Sequence, residues 1–125
     1  MPSRRVYYNK LVRDLIKDKI EGNGESCAVR MIEDPHEFYQ ELLKKVVEEA
    51  TGLAHTTTRE AFLQEYADLM VVLDALTAEL ELSEADIQTA ITENVEKKGL
   101  YKQRHFLQWS DAGSYKSNET PQGLQ

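Results

Sequence analysis

Apolar residues recur every three to four positions through most of residues 35–98, and this spacing constrains the fold more than any other feature of the chain. On an α-helix such residues share one face, which can be buried against a neighbouring element. With six Gly and three Pro in 125 residues, little interrupts the pattern. The sequence therefore predicts an all-α protein. The apolar positions are Phe38, Leu42, Leu43, Val46, Val47 and Ala50, then Phe62, Ala67, Met70, Val71, Leu73, Leu76 and Leu80, then Ile87, Ala90, Ile91 and Val95.

The starts of the last three predicted helices are marked by capping residues. Asp34 can accept hydrogen bonds from the first turn of the second helix. Thr57 and Glu60 are spaced as a capping box for the third helix, and Ser83 and Asp86 are spaced in the same way for the fourth. The second helix is expected to end near residues 52–55, the third near residue 82 and the fourth before residue 99.

A shorter first helix is predicted from about Lys10 to Glu21, where two glycines follow closely and stop it. Its apolar residues are Leu11, Leu15, Ile16 and Ile20. Residues 27–32 form a short alternating stretch, which is typical of an isolated strand or of an extended connector. Residues 100–109 are expected to be extended and partly packed on the helices. The chain thus divides into a helical domain, residues 1–109, and a flexible polar tail, residues 110–125.

Composition excludes several classes of protein. The net charge of −7 argues against general nucleic-acid binding. The longest aliphatic run, residues 69–73, is too short to cross a membrane. Cys27 is the only cysteine, so no internal disulfide is possible and a cytoplasmic location is expected. Residues 34–96 carry fifteen Asp and Glu against three Lys and Arg, and basic segments flank them on both sides.

Two acidic clusters lie on either side of the loop between the second and third predicted helices. Glu48 and Glu49 precede the loop, and Glu65 and Asp68 follow it, three residues apart and therefore on one helix face. A short connection makes the two helices antiparallel neighbours, which would bring Glu49 toward Glu65 and Asp68. Such carboxylates suit Mg²⁺. The alternative is that they form an ordinary solvated face.

Three motifs then occur in order along the chain. They are YNKLVRD at residues 8–14, Glu48-Glu49 followed by EYADLM at residues 65–70, and EKKGLYKQRHFL at residues 96–107. Together they resemble the opening, the metal-binding carboxylates and the basic–glycine–aromatic ending of a MazG-like subfamily of house-cleaning pyrophosphohydrolases. The wider superfamily includes MazG, dimeric dUTPases and phosphoribosyl-ATP pyrophosphatase.

The resemblance implies a four-helix bundle that assembles as a homodimer or homotetramer. It also implies Mg²⁺-dependent hydrolysis of a nucleoside triphosphate to the monophosphate and pyrophosphate. By position it assigns Glu49, Glu65 and Asp68 as metal ligands, and it places Glu48 beside them. Glu48 or Glu49 would act as the catalytic base. The residues expected to bind the triphosphate are Asn9, Lys10, Arg13, Lys97 and Arg104, and the four basic ones among them would neutralise its charge.

One position departs from the family pattern. The pattern has a second glutamate three residues after Glu49, and this chain has Gly52. Loss of a carboxylate is expected to weaken Mg²⁺ binding, although water can fill a vacant ligand position. Two alternatives therefore stand beside an active pyrophosphatase: a nucleotide-binding protein of the same fold with weak or no hydrolysis, and a purely structural helical oligomer.

Overall fold

The computed structural model describes residues 4–111, 113 and 115, and over these residues the chain is all-helical. Its four helices are α1 (Ile16–Gly22), α2 (Pro35–Ala54), α3 (Arg59–Glu79) and α4 (Glu84–Lys98). The predicted all-α, four-helix fold is confirmed. Residues 25–34 form no strand and are a connector. The predicted tail lies outside the described residues, apart from residues 110, 111, 113 and 115.

Helices α2 and α3 pack against each other as an antiparallel pair. Leu42, near the start of α2, is buried with Val72 and Leu76, which lie in the second half of α3. At the other end of the pair, Gly52 in α2 lies against Glu65 in the first half of α3. Apolar burial holds the pair together. Residues that pack on this core are Leu11, Phe38, Tyr39, Val46 and Ala75.

The caps explain where the three long helices begin. The Asp34 side chain accepts a hydrogen bond from the backbone N–H of His36, as predicted. Ser83 and Asp86 form the predicted reciprocal box. The predicted cap of α3 is wrong by one residue, because Thr58 rather than Thr57 accepts from the first turn. Residues 56–58 are all threonine, so the sequence pattern alone does not distinguish these positions.

The first helix is shorter than predicted, because it begins at Ile16 and not at Lys10. Residues 10–13 form no helix. Leu11 packs on the α2–α3 core instead, while Lys10 and Arg13 form ion pairs with α2 and α3. Tertiary contacts therefore override the helical spacing of this segment.

The contacts within the chain divide it into two compact units, Met1–Asp86 and Ile87–Gln125. In the second unit, α4 ends at Lys98, and the next residue, Gly99, has a positive φ of 76° that glycine readily adopts. A turn follows, closed by a hydrogen bond from the Arg104 N–H to the Tyr101 carbonyl. Residues 100–109 are exposed throughout, so the predicted partial burial of this segment is not observed.

Within residues 4–111, no helix combines the length and the apolar character that a membrane crossing requires.

Candidate metal centre

Three carboxylates from two helices converge in the first unit. Glu49 of α2 and Glu65 and Asp68 of α3 each place one oxygen so that all three oxygens lie within 4.8 Å of one another. All three residues are partly buried. Glu65 and Asp68 share one face of α3 because they lie about one turn apart. The antiparallel pairing of α2 and α3 brings Glu49 to that face.

The spacing of these oxygens fits a hard divalent cation. Oxygen ligands lie about 2.1 Å from Mg²⁺ in octahedral geometry, so pairs of ligands are roughly 3 to 4.2 Å apart. Small side-chain rotations that move each oxygen by less than about 1 Å would bring oxygens separated by up to 4.8 Å into that range. Three like charges held this closely repel one another unless a cation lies near them. The donor set therefore fits Mg²⁺, and binding of the ion remains a prediction.

The N-terminal segment brings one cation to Asp68 of this group and a second to the adjacent Glu48. The Lys10 ammonium lies 2.7 Å from Glu48 Oε1, and the Arg13 guanidinium lies 3.1 Å from Asp68 Oδ1. Leu11, between them, is anchored in the core. Asn9 has a positive φ of 47°, a backbone conformation that asparagine tolerates better than most residues. Of the residues predicted to contact phosphate, the structure thus places Lys10 and Arg13 beside the acidic site.

Lys45 is a further member of the site that the sequence interpretation did not include. Its ammonium lies 2.7 Å from Glu48 Oε2 and 3.5 Å from Glu49 Oε1, and its side chain is only 14% exposed. It therefore compensates two adjacent carboxylates at once. The signal was present in the sequence, because Lys45 precedes Glu48 and Glu49 by three and four positions, the spacing of ion pairs on a helix.

Glu48 lies outside the group of three carboxylates. Both of its oxygens are taken by ammonium groups, one from Lys10 and one from Lys45. These hydrogen bonds lower the pKa of Glu48 below the ordinary glutamate value, and the bond to Glu48 raises the pKa of Lys10. A lowered pKa makes Glu48 a weaker base. In this arrangement Glu48 holds the N-terminal segment on α2.

Gly52, the position that departs from the family pattern, lies next to the carboxylate end of the Glu65 side chain. A Cβ atom placed on Gly52 would be 2.8 Å from Glu65 Oε2 and 3.2 Å from Glu65 Cδ. The space next to Gly52 is thus filled by a carboxylate that belongs to α3. Sequence spacing does not reveal this contact, because it depends on how closely α2 and α3 approach.

The remaining predicted phosphate-binding residues belong to the second unit. Lys97 lies in the last turn of α4, where a cation is favourable beside the helix C-terminus. Arg104 has a positive φ of 58° in the turn that follows. Their contact with a nucleotide stays a prediction.

The site in the first unit thus combines three carboxylates that suit one cation with three basic residues around them, Lys10, Arg13 and Lys45. Comparisons of this chain with protein-family models, with curated proteins and with solved structures found no match. The chemistry of the site is therefore inferred from its own residues and their geometry.

Proposed function

We propose that this protein is a MazG-like pyrophosphohydrolase that cleaves nucleoside triphosphates to the monophosphate and pyrophosphate with Mg²⁺. The observation that carries the proposal is the convergence of the Glu49, Glu65 and Asp68 oxygens to within 4.8 Å, with Arg13 and Lys10 bound to carboxylates at the same place. A cluster of carboxylates that can hold a metal ion, with basic side chains beside it, is what binding of a metal-bound polyphosphate requires.

Each residue has a distinct role in this proposal. Glu49, Glu65 and Asp68 would hold Mg²⁺, which when bound neutralises phosphate charge and activates water. Arg13 suits contacts to phosphate oxygens because its planar guanidinium donates several parallel hydrogen bonds. Lys10 supplies a second positive charge. On nucleotide binding, both cations would be shared between the carboxylates and the phosphates.

Glu49 is the better candidate for the base that receives a proton from the attacking water. Glu48, the other candidate, has both oxygens in ion pairs and a lowered pKa. Glu49 has one longer contact, 3.5 Å to Lys45, and its other neighbours in the group are carboxylates. A base needs a lone pair that faces the water, and Glu49 meets this requirement more readily.

The test is a panel of NTPs and dNTPs incubated with the purified protein and Mg²⁺. We expect pyrophosphate and the nucleoside monophosphate in equal amounts, and no release without the metal. Asp68→Asn, prepared in the same way, controls for contaminating enzymes and should lose at least about 100-fold in kcat/KM. Release of inorganic phosphate and the nucleoside diphosphate, or equal activity in the variant, would contradict the proposal.

A second candidate is a protein that binds nucleotide and hydrolyses it slowly or not at all. Gly52 favours it, because this position supplies no fourth carboxylate to the group. Stabilisation against heat by a nucleotide with Mg²⁺, in the absence of pyrophosphate release, would distinguish it from an active enzyme. No stabilisation by any nucleotide would favour the structural oligomer.

We also propose that the protein acts as a homodimer or homotetramer in the cytoplasm. Val71, Val72 and Leu73 are consecutive and so point to different sides of α3. Val72 is buried against α2, whereas Val71 and Leu73 are 41% and 37% exposed. A helix with apolar residues around its circumference is usually covered on more than one side. A second copy of the chain would bury the exposed sides of α3 that carry Val71 and Leu73.

A further inference from the structure

The glycine at position 52 is not explained by backbone conformation. Gly52 lies inside α2, where the backbone is helical, and its φ is not in the left-handed region that favours glycine. Glycine in a helix interior is less favourable than alanine. An alanine would therefore stabilise α2 if the space beside this position were open.

The space is occupied by the Glu65 side chain. A Cβ atom at position 52 would lie 2.8 Å, 3.2 Å and 3.6 Å from Oε2, Cδ and Oε1 of Glu65. The first of these distances is shorter than any ordinary contact of a side-chain carbon, so one of the two groups would have to move. The carboxylate is the end of a flexible side chain and would be the group to move. The fold would survive, and the position of the carboxylate would change.

We propose that Gly52 is a positioning residue, whose missing side chain lets the Glu65 carboxylate lie within reach of Glu49 and Asp68. The inference rests on the proposed metal site, and it reverses the significance of the departure from the family pattern. Position 52 is then not an empty ligand position. Any side chain there displaces a ligand, because its Cβ atom alone would lie 2.8 Å from Glu65 Oε2. Gly52→Glu would therefore move the Glu65 carboxylate and would not strengthen metal binding.

The first experiment tests the contact without metal. Thermal unfolding is measured for the wild type, Gly52→Ala, Glu65→Ala and the double variant, all in EDTA. We expect Gly52→Ala to raise Tm by several degrees when Glu65 is already alanine, and by clearly less in the wild type, because only the wild type has a carboxylate to displace. Gly22→Ala is the matched control: no atom of the described residues lies within 4 Å of its added Cβ, so its effect should be the same in both backgrounds.

The second experiment measures Mg²⁺ affinity by calorimetry with no nucleotide present. We expect Gly52→Ala to raise the Kd by about tenfold or more, as other changes that misorient a metal ligand do, while Gly22→Ala leaves it unchanged. Gly52→Glu should bind no more tightly than the wild type. If Gly52→Ala binds Mg²⁺ more weakly but is as stable to heat as the wild type, Gly52 positions the Glu65 carboxylate and does not merely support the fold.

The outcomes separate the two proposals. If the wild type binds Mg²⁺ but Gly52→Ala acts identically with and without Glu65, the positioning role is overturned and the metal site stands. Tighter binding by Gly52→Glu would also overturn it, since position 52 would then be a missing ligand. If the wild type binds no Mg²⁺, the metal site fails and the positioning role fails with it.

Discussion

At the scale of single residues, the site depends on opposite charges held close together on α2. Glu48 and Glu49 are neighbours in sequence, and their carboxylates would repel each other without a cation. Lys45 lies against both and is largely shielded from water. If Lys45 is removed, Glu48 keeps its ion pair with Lys10, but the largely shielded Glu49 loses its ion pair with Lys45. Lys45 is therefore worth more than a lysine in an exposed ion pair.

Lys45→Met should therefore destabilise the protein by about 1 to 3 kcal/mol, measured by urea unfolding at neutral pH without metal. The control is Lys44→Met at the adjacent position. Lys44 is 74% exposed and, within the described part of the chain, pairs with Glu41 alone, so its loss should cost under about 0.5 kcal/mol. Equal effects of the two substitutions would show that Lys45 is an ordinary surface lysine.

Residue spacing was enough to predict part of this site. Glu49, Glu65 and Asp68 could be grouped from helical periodicity and from the short loop between their helices, and the structure places their oxygens together. The same periodicity could have identified Lys45. The contact between Gly52 and Glu65 could not be predicted, because it depends on the distance between two helix backbones, which no spacing within one helix determines.

At the scale of elements, residues 10–15 show where helical periodicity misleads. Leu11, Leu15 and Ile16 have helical spacing, yet the helix begins only at Ile16. The segment before it is held by Leu11 in the α2–α3 core and by ion pairs at Lys10 and Arg13. These contacts reach α2 and α3 from an irregular backbone, which a local pattern does not predict.

Leu11→Ala tests whether this anchor keeps the two cations at the site. We expect a loss of about 1 to 2 kcal/mol in unfolding free energy, less than for a fully buried leucine because Leu11 is half-buried. KM for the nucleotide should rise more than kcat falls, because Lys10 and Arg13 would lose their fixed positions. Val12→Ala is the control, since Val12 lies outside the core cluster. A KM equal to that of the wild type would contradict the anchoring role.

The start of α4 gives a prediction about pH. The backbone N–H of Ser83 donates to the Asp86 carboxylate, while the Ser83 hydroxyl accepts from the Asp86 N–H. The Ser83 backbone, and after it the Ser83 side chain, lower the pKa of Asp86 below the ordinary aspartate value. A lowered pKa means that the cap contributes fully above the unfolded-state value of about 3.9 and is lost as the pH falls through the folded value. NMR titration of the Ser83 and Asp86 amides should therefore give a midpoint below about 3.9.

Ser83→Ala provides the check on that titration. The variant keeps the backbone donor and loses the hydroxyl, so the midpoint should move up toward the ordinary value. A wild-type midpoint at or above the ordinary value would contradict the capping account.

At the scale of the whole molecule, the chain leaves much apolar surface uncovered. Among the described residues, three apolar side chains are buried, namely Leu42, Val72 and Leu76. Large apolar side chains of α3 remain well exposed, including Phe62, Leu63 and Tyr66. Extended apolar surface of this kind is typical of protein interfaces.

Sedimentation velocity should therefore give a dimer or a tetramer at concentrations of tens of micromolar. If folding and assembly are linked, the unfolding midpoint should rise with protein concentration. A monomer with a concentration-independent midpoint would contradict the proposed assembly. This feature was predicted from the family resemblance alone, because the sequence pattern does not distinguish a face buried in a core from one buried in an interface.

In the proposed site, α2 and α3 together hold one divalent cation, and the location of that cation can be observed directly. Crystals grown with Mn²⁺, which prefers the same oxygen ligands as Mg²⁺, would be measured at the manganese absorption edge. We expect one strong anomalous peak in contact with oxygens of Glu49, Glu65 and Asp68. Ordered crystals with no peak at this position, or with Mn²⁺ bound by other residues alone, would contradict it.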